Sequence, residues 1–386
     1  MTTAFVLLVA ATTEHSHAWE GHVWEEWREV STWRVPDLQT DQTGRHELIP
    51  ALGEEGAISA TLEDWEDRRA AYAGVIQAIL GSPTDLTIPD PEAEDLGEEK
   101  LEGYTRKRIR IRAEQDDWIP AYVLIPNAPI ASPAPAIVCL HQTVAQGKDE
   151  PCGIEGDPNL AFAVELVKRG FVCIAPDVIG FGERIPDGTQ PYHDSLAFYR
   201  RHPNWSFMGK MIWDVSRVID YLESLPYVDA NQIGSIGHSH GAYSTLFAAA
   251  FEPRIRSAVA SCGFTTFRKD PRPDRWSHLT ALIPQLGHYL DEVSSIPFDW
   301  QHVLALTAPR RLFIWYATRD TIFPNTENLE ILMEETRSIH ELYGAEDAFE
   351  GHAFDGPHKF PRDAREKAYR WLEEMRADDE RASPRR

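Results

Sequence analysis

One nonapeptide constrains the chain more than any other feature. Residues 233–241 read Ile-Gly-Ser-Ile-Gly-His-Ser-His-Gly, so Gly237-x-Ser239-x-Gly241 follows an apolar strand run and precedes a helix-forming run from Ala242 to Phe251. A reversal from strand to helix within five residues forces the central residue into a strained backbone conformation. It also brings the flanking positions so close to neighbouring chain that a Cβ atom would clash. Glycine at both flanks and serine at the tip meet that demand, and they leave the serine Oγ exposed. The N–H groups of the following helix favour negative charge beside it. Ser239 is therefore the candidate nucleophile.

The surrounding grammar is that of alternating strands and helices. Tyr104–Ile111 and Trp118–Ile125 alternate as a hairpin, turning at Glu114–Asp117. Ala136–Leu140, Phe171–Ala175, Gln232–Ile236, Arg254–Ser261, Arg311–Ala317 and Ala348–Phe354 read as further strands. Helical periodicity covers Asn159–Arg169, Met211–Leu225, Thr326–Tyr343 and Pro361–Met375. This order predicts an α/β fold with a mainly parallel sheet covered by helices on both faces.

Residues 1–100 are expected to form a helical and irregular extension packed on a domain spanning 101–386. Trp24, Trp27 and Trp33 are its aromatic anchors. Thr61 caps a helix running to Leu80, and Pro89, Pro91 and the acids up to Glu99 read as a linker.

A serine hydroxyl needs a base, and the base needs an acid to orient it. Asp320 ends the strand Arg311–Ala317 and is the candidate acid. His358 lies between the last strand and the final helix and is the candidate base, preferred over His352 inside the strand. An oxyanion requires two donors. The N–H of His240 supplies one, and the loop His141-Gln142-Thr143 supplies the other, from Thr143 or alternatively Gln142. His141 reads as a structural anchor of that loop. His238 and His240, two positions apart across a tight turn, make a poor metal pair, so no metal is expected. Gly180-Phe181-Gly182 lacks the lysine and Ser/Thr of a phosphate loop and reads as a glycine turn.

These residues resemble the α/β-hydrolase superfamily, in particular its dienelactone hydrolase and acetyl xylan esterase-like branch. The likeness spans roughly Tyr104 to Met375. It rests on His141-Gln142-Thr143, Asp177 with Gly180-x-Gly182, the pentapeptide at Ser239, Asp320, and Gly356-Pro357-His358-Lys359-Phe360-Pro361. The resemblance implies a serine carboxylic-ester hydrolase working through an acyl-enzyme, without metal or organic cofactor, on a small or carbohydrate-linked ester. A prolyl-oligopeptidase-type peptidase and a non-catalytic binding protein of the same fold are the alternatives. About 100 residues ahead of Tyr104 leave no room for the propeller such peptidases carry.

The stretch 265–307 is long for a crossover, and reads either as a cap over the pocket or as surface packing of an insertion. Trp276, Tyr289 and Trp300 are its candidate pocket residues, with Arg275 and Phe298 nearby.

Composition sets the outer limits. The chain of 386 residues carries 61 acidic against 38 basic residues, a net charge of −23. Such a field repels phosphates and argues against nucleic-acid or anionic-membrane partners. It also disfavours anionic substrates, unless local charge at a site mouth reverses it.

No apolar run is long enough to span a membrane. The run Ala4–Ala11 is a weak secretion signal without a basic flank, so a cytoplasmic location is expected, with secretion or a periplasmic location as the alternative. His15, His17 and His22 read as part of a solvated tail. Cys139, Cys173 and Cys262 read as reduced core cysteines, while Cys152 lies in a loop. A homo-oligomer is left open.

Overall fold

The computed structural model describes residues 22–36, 61–83, 92–128, 132–185, 191–192 and 195–382. The histidines at 15 and 17, the apolar run near the N-terminus and the prolines at 89 and 91 lie outside them.

Among the described residues, nine strands form one sheet: β1 (Ala93–Leu101), β2 (Tyr104–Glu114), β3 (Asp117–Pro126), β4 (Ala134–Leu140), β5 (Val172–Pro176), β6 (Val228–His238), β7 (Ile255–Ser261), β8 (Arg311–Ala317) and β9 (Phe349–Phe354). Their spatial order is β1-β2-β3-β5-β4-β6-β7-β8-β9. The first three pair antiparallel and β3 meets β5 antiparallel, while β4 to β9 are mutually parallel.

The helices are α1 (His22–Val30), α2 (Leu62–Leu80), α3 (Phe162–Val167), α4 (Ser195–Arg201), α5 (Phe207–Ser224), α6 (His240–Phe251), α7 (Trp300–Ala305), α8 (Thr326–Leu342) and α9 (Arg362–Ala382).

Period-two alternation divides the core into two layers. From β4, Ala136, Val138 and Leu140 join residues of α1, α2, α5, α6 and α7 on one face. Ile137 and Cys139 join α3 and α9 on the other. The parallel sheet is thus covered on both sides. α6 buries nearly every side chain, because it runs through the middle of the first layer. All four cysteines are buried and unpaired by disulfides, Cys152 included.

The N-terminal tryptophans anchor their segment as expected, each through a polar bond as well as burial. Trp24 Nε1 donates to Pro284 O at 2.8 Å, and Trp27 Nε1 donates to Pro203 O at 2.9 Å. Trp33, half-exposed, donates to Ala78 O at 2.9 Å. Trp27 is 1% exposed, and hiding an indole of about 200 Å² contributes at most about 5 kcal/mol. The expected cap on α2 is a full capping box. Asp64 N donates to Thr61 Oγ1, and Thr61 N donates to Asp64 Oδ2 at 2.8 Å.

The acidic linker is corrected by the structure. From Ala93 the chain is strand β1, so the boundary drawn between 100 and 101 falls inside it. Acids that read as linker chemistry are instead cross-strand partners of the basic face of β2. Glu92 binds Arg112, Glu94 binds Arg110, Glu99 binds Arg106, and Asp95 and Glu98 flank Lys107. Opposite charges directly across a ladder support pairing that propensity alone does not suggest.

Candidate active site

Ser239 sits at the C-terminal end of β6, near the centre of the sheet, as the first link to α6. Its backbone is at φ 55°, ψ −116°, a region costly for any residue with a Cβ. The turn is tight enough to explain both glycines. A Cβ on Gly237 would lie 2.1 Å from Gly241 O, and one on Gly241 would lie 2.0 Å from Leu140 O. The turn is clamped to the neighbouring strand by Ser239 N donating to Ser261 O at 2.8 Å.

Asp320 follows β8 and His358 follows β9, so both reach the same edge of the sheet as Ser239. His358 Nδ1 lies 2.6 Å from Asp320 Oδ2. The other oxygen, Oδ1, accepts from Ile322 N at 2.8 Å and Phe323 N at 3.0 Å. The carboxylate is therefore fixed by its own loop before it orients the imidazole. His358 Nε2 is buried and has no hydrogen-bond partner among the described residues, Ser239 Oγ included. Its ring packs against His238 at 4.8 Å between centroids and against Phe323 at 5.9 Å. His352, the rival base, pairs instead with Glu350 of its own strand at 2.6 Å and lies against Phe313.

On the oxyanion side, the backbone N–H groups of His240 and Thr143 donate to no backbone carbonyl among the described residues, whereas the Gln142 N–H is directed at the Glu150 carboxylate. The Gln142 side chain turns away to Glu150 at 2.9 Å. The Thr143 hydroxyl meets the phenols of Tyr192 and Tyr243, which lie 3.1 Å apart. His141 is the expected anchor: Nδ1 donates to Gln142 O at 2.7 Å, and Nε2 accepts from Val178 N at 3.2 Å. The glycine turn after β5 wraps Asp177, whose carboxylate accepts from Lys148 N, Lys148 Nζ and Glu183 N at 2.8, 2.6 and 3.0 Å. That knot holds the β4 and β5 loops together.

Three histidines here are kept neutral by burial. His238 is pushed well below the usual imidazole range, first by burial and then by the charge of His358. His240 shifts the same way through burial and His141, inside a box of Phe181, Tyr192 and Tyr243 rings. Burial likewise lowers His141. The Cys262 thiol lies beside the acid–base pair, with its sulfur and the polar atoms of Asp320 and His358 all within 4.8 Å of one another. Burial and then Asp320 push that thiol up to about 12, so it remains protonated there. Sequence reading placed Cys262 in the core but gave no sign of this neighbourhood, because only the tertiary fold brings β7 beside the loops of β8 and β9.

The three candidate pocket aromatics are corrected. Trp276, Tyr289 and Trp300 are 1%, 6% and 0% exposed, so they are packing residues. Trp300 is enclosed by Phe247, Phe264, Phe267 and Trp276. Trp276 in turn backs Tyr243 and Phe323. Within 265–307, Arg275 approaches the pair through Phe323. It forms a two-pronged ion pair with Asp270 at 2.6 and 2.8 Å and lies over the Phe323 ring that faces His358.

In sequence and fold the chain is similar to esterases. Solved glucuronoyl esterase of Solibacter usitatus superposes with a TM-score of 0.67 at 18% identity, covering 89% of this chain and 99% of that one. The fold is that of the α/β-hydrolases. A profile of the fungal glucuronyl esterase family matches residues 187–344, less than half of the chain. The 4-O-methyl-glucuronoyl methylesterase 1 of Wolfiporia cocos is 25% identical over 354 residues, 86% of this chain and 81% of its own length. The Bacillus subtilis hydrolase YtaP is 26% identical over 239 residues, 60% of this chain and 74% of its own. Among the described residues, no helix is long and apolar enough to cross a membrane.

Proposed function

We propose that this protein is a serine carboxylic-ester hydrolase acting on carbohydrate-linked esters, with the carbonyl of a uronic-acid ester as its electrophile. The observation that carries the reading is the Asp320–His358 bond of 2.6 Å, set at the same sheet edge as a serine in a strained strand-to-helix turn. The uronic-acid ester rests on the likeness to glucuronoyl esterases.

In this reading His358 Nε2 takes the proton of Ser239 Oγ as that oxygen attacks the ester carbonyl. Asp320 keeps Nδ1–H in place and stabilises the imidazolium. The tetrahedral oxyanion is held by the N–H groups of His240 and Thr143, with Gln142 N–H as the alternate. Collapse expels the alcohol, which receives the proton from His358. Water, deprotonated by His358, then attacks the acyl-enzyme, and the carboxylate product leaves with Ser239 restored. Each step moves protons and electron pairs only, so no cofactor is called for.

The test is turnover of p-nitrophenyl acetate, a methyl glucuronate ester and a Pro-p-nitroanilide by wild-type protein and Ser239→Ala. Ester cleavage lost in the variant, with phosphonylation of Ser239 by a fluorophosphonate, supports the reading. Ester cleavage that survives the substitution overturns it, and anilide cleavage alone redirects it to a peptidase.

A further inference from the structure

A cavity of about 600 Å³ opens between the β2–β3 hairpin, the loop after β5, and helices α4 and α5. Its strands β2 and β3 lie toward the opposite end of the strand order from β8 and β9, which lead to Asp320 and His358. In a chain of net charge −23, its lining includes five cations: Arg108, Arg110, Arg184, Arg201 and Lys210.

These five fall into two groups. Lys210 and Arg184 form the floor, 1% and 5% exposed at the side chain. Their charges are fully answered. Lys210 Nζ meets Glu114, Asp117 and Asp214 at 2.8, 2.6 and 2.6 Å. Arg184 meets Asp117 and Asp214 at 2.7 and 2.6 Å. Burial alone would drive the lysine toward its neutral form, but Asp214 and Asp117 reverse this and raise its pKa. A buried network with each cation so enclosed is rigid, and breaking it is costly.

Arg108, Arg110 and Arg201 form the rim, and are 43–50% exposed at the side chain. Their partners are Glu183, Glu94 and Glu114. The Arg108 and Arg110 pairs are exposed on both sides, and such pairs contribute about 0–1 kcal/mol; Glu114, though buried, keeps His202 and Lys210 at 3.0 and 2.8 Å when Arg201 turns to a ligand carboxylate. The guanidinium fork suits a planar carboxylate through two parallel bonds. Beside these charges, Trp118, Pro120, Ile179 and Phe198 provide apolar wall, and Asp117 and Glu183 provide acceptors for hydroxyl groups. The volume suits a sugar-sized ligand.

We propose that this cavity is an accessory binding site for a carboxylate-bearing sugar, held by the rim arginines Arg108 and Arg201. Its cations balance the acids paired with them, so the cavity lacks the repulsion that the overall charge imposes on anionic carbohydrate. Ser239, Asp320 and His358 are not among its lining residues.

The experiment is calorimetric titration of D-glucuronate and of D-glucose into protein whose Ser239 has been phosphonylated, or into untreated protein if the serine does not label. Saturable glucuronate binding, at least tenfold weaker in the Arg108→Ala, Arg201→Ala double variant and weaker at high salt, is the expected result, with no binding of glucose. The Arg108→Lys, Arg201→Lys variant should fall between, since it keeps charge without the fork. Unchanged far-ultraviolet dichroism and melting show that the variants fold. Absence of saturable binding, equal binding by the alanine variant, or equal binding of glucose overturns the proposal. Failure of Ser239 to label bears on the ester reading alone.

Discussion

Asp320 holds His358 with one carboxylate oxygen and two backbone amides of its own loop with the other. The acid is thus positioned independently of the base, and replacing it should disturb the tautomer more than the fold. Asp320→Asn is expected to lower kcat for p-nitrophenyl acetate by about 10³–10⁴-fold with little change in KM. Steady-state kinetics beside a thermal melt would check this. A loss of less than tenfold would remove Asp320 from the mechanism.

Gly241 passes under the carbonyl of Leu140. Neither the β4 end nor the α6 start can move without displacing the other, so Gly241→Ala cannot relax by a side-chain rotation. A loss of at least about 2 kcal/mol in urea unfolding is expected, together with a fall in activity. An alanine variant of wild-type stability would show that the turn is looser than its geometry.

His141, His238 and His240 are all buried with imidazole pKa values lowered by that burial. Unfolding frees them to take protons near pH 6.5, so below that value the unfolded state binds more protons than the native one. Stability should therefore fall as pH drops below about 6.5, by up to about 1.4 kcal/mol per pH unit for each histidine. His240→Phe, which keeps a ring in the aromatic box, should flatten the slope. Melting temperatures recorded from pH 7.5 to 5 would reveal it, and a flat curve for wild-type protein would refute the point.

Trp27→Ala removes a ring buried between α1 and the main core and leaves Pro203 O without its donor. About 3–5 kcal/mol of destabilisation is expected from the cavity. If chemical denaturation instead shows less than about 1 kcal/mol, the segment is an appendage rather than part of the fold.

The parallel core and the acid–base pair were legible because strand ends and short loops carry them: Arg311–Ala317 into Asp320, and Phe349–Phe354 into His358. The start of the sheet was hidden. β1 contains Glu94, Asp95, Glu98 and Glu99, which taken alone suggest a solvated linker, and only the arginines ten or so residues later make it a strand. The aromatics of 265–307 misled for a related reason. A tryptophan in an inserted segment carries the same local signal whether it faces a substrate or a core, and Phe247, Phe264 and Phe267 around Trp300 decide for the core. Helix α7 escaped notice because six residues give too little periodicity to recognise.

The charged ladder between β1 and β2 also governs what happens on the far side of β1. Among the described residues that strand is the last in the sheet, and its outer hydrogen-bonding edge has no neighbour in the ladder. Its register is broken by a bulge between Asp95 and Gly97. A second chain approaching to extend the sheet would bring its own row of carboxylates against this row, on a strand already bent out of line. Self-addition at that border is therefore opposed both electrically and geometrically, and the same acids that tie β1 to its inner neighbour guard the sheet against growing outward.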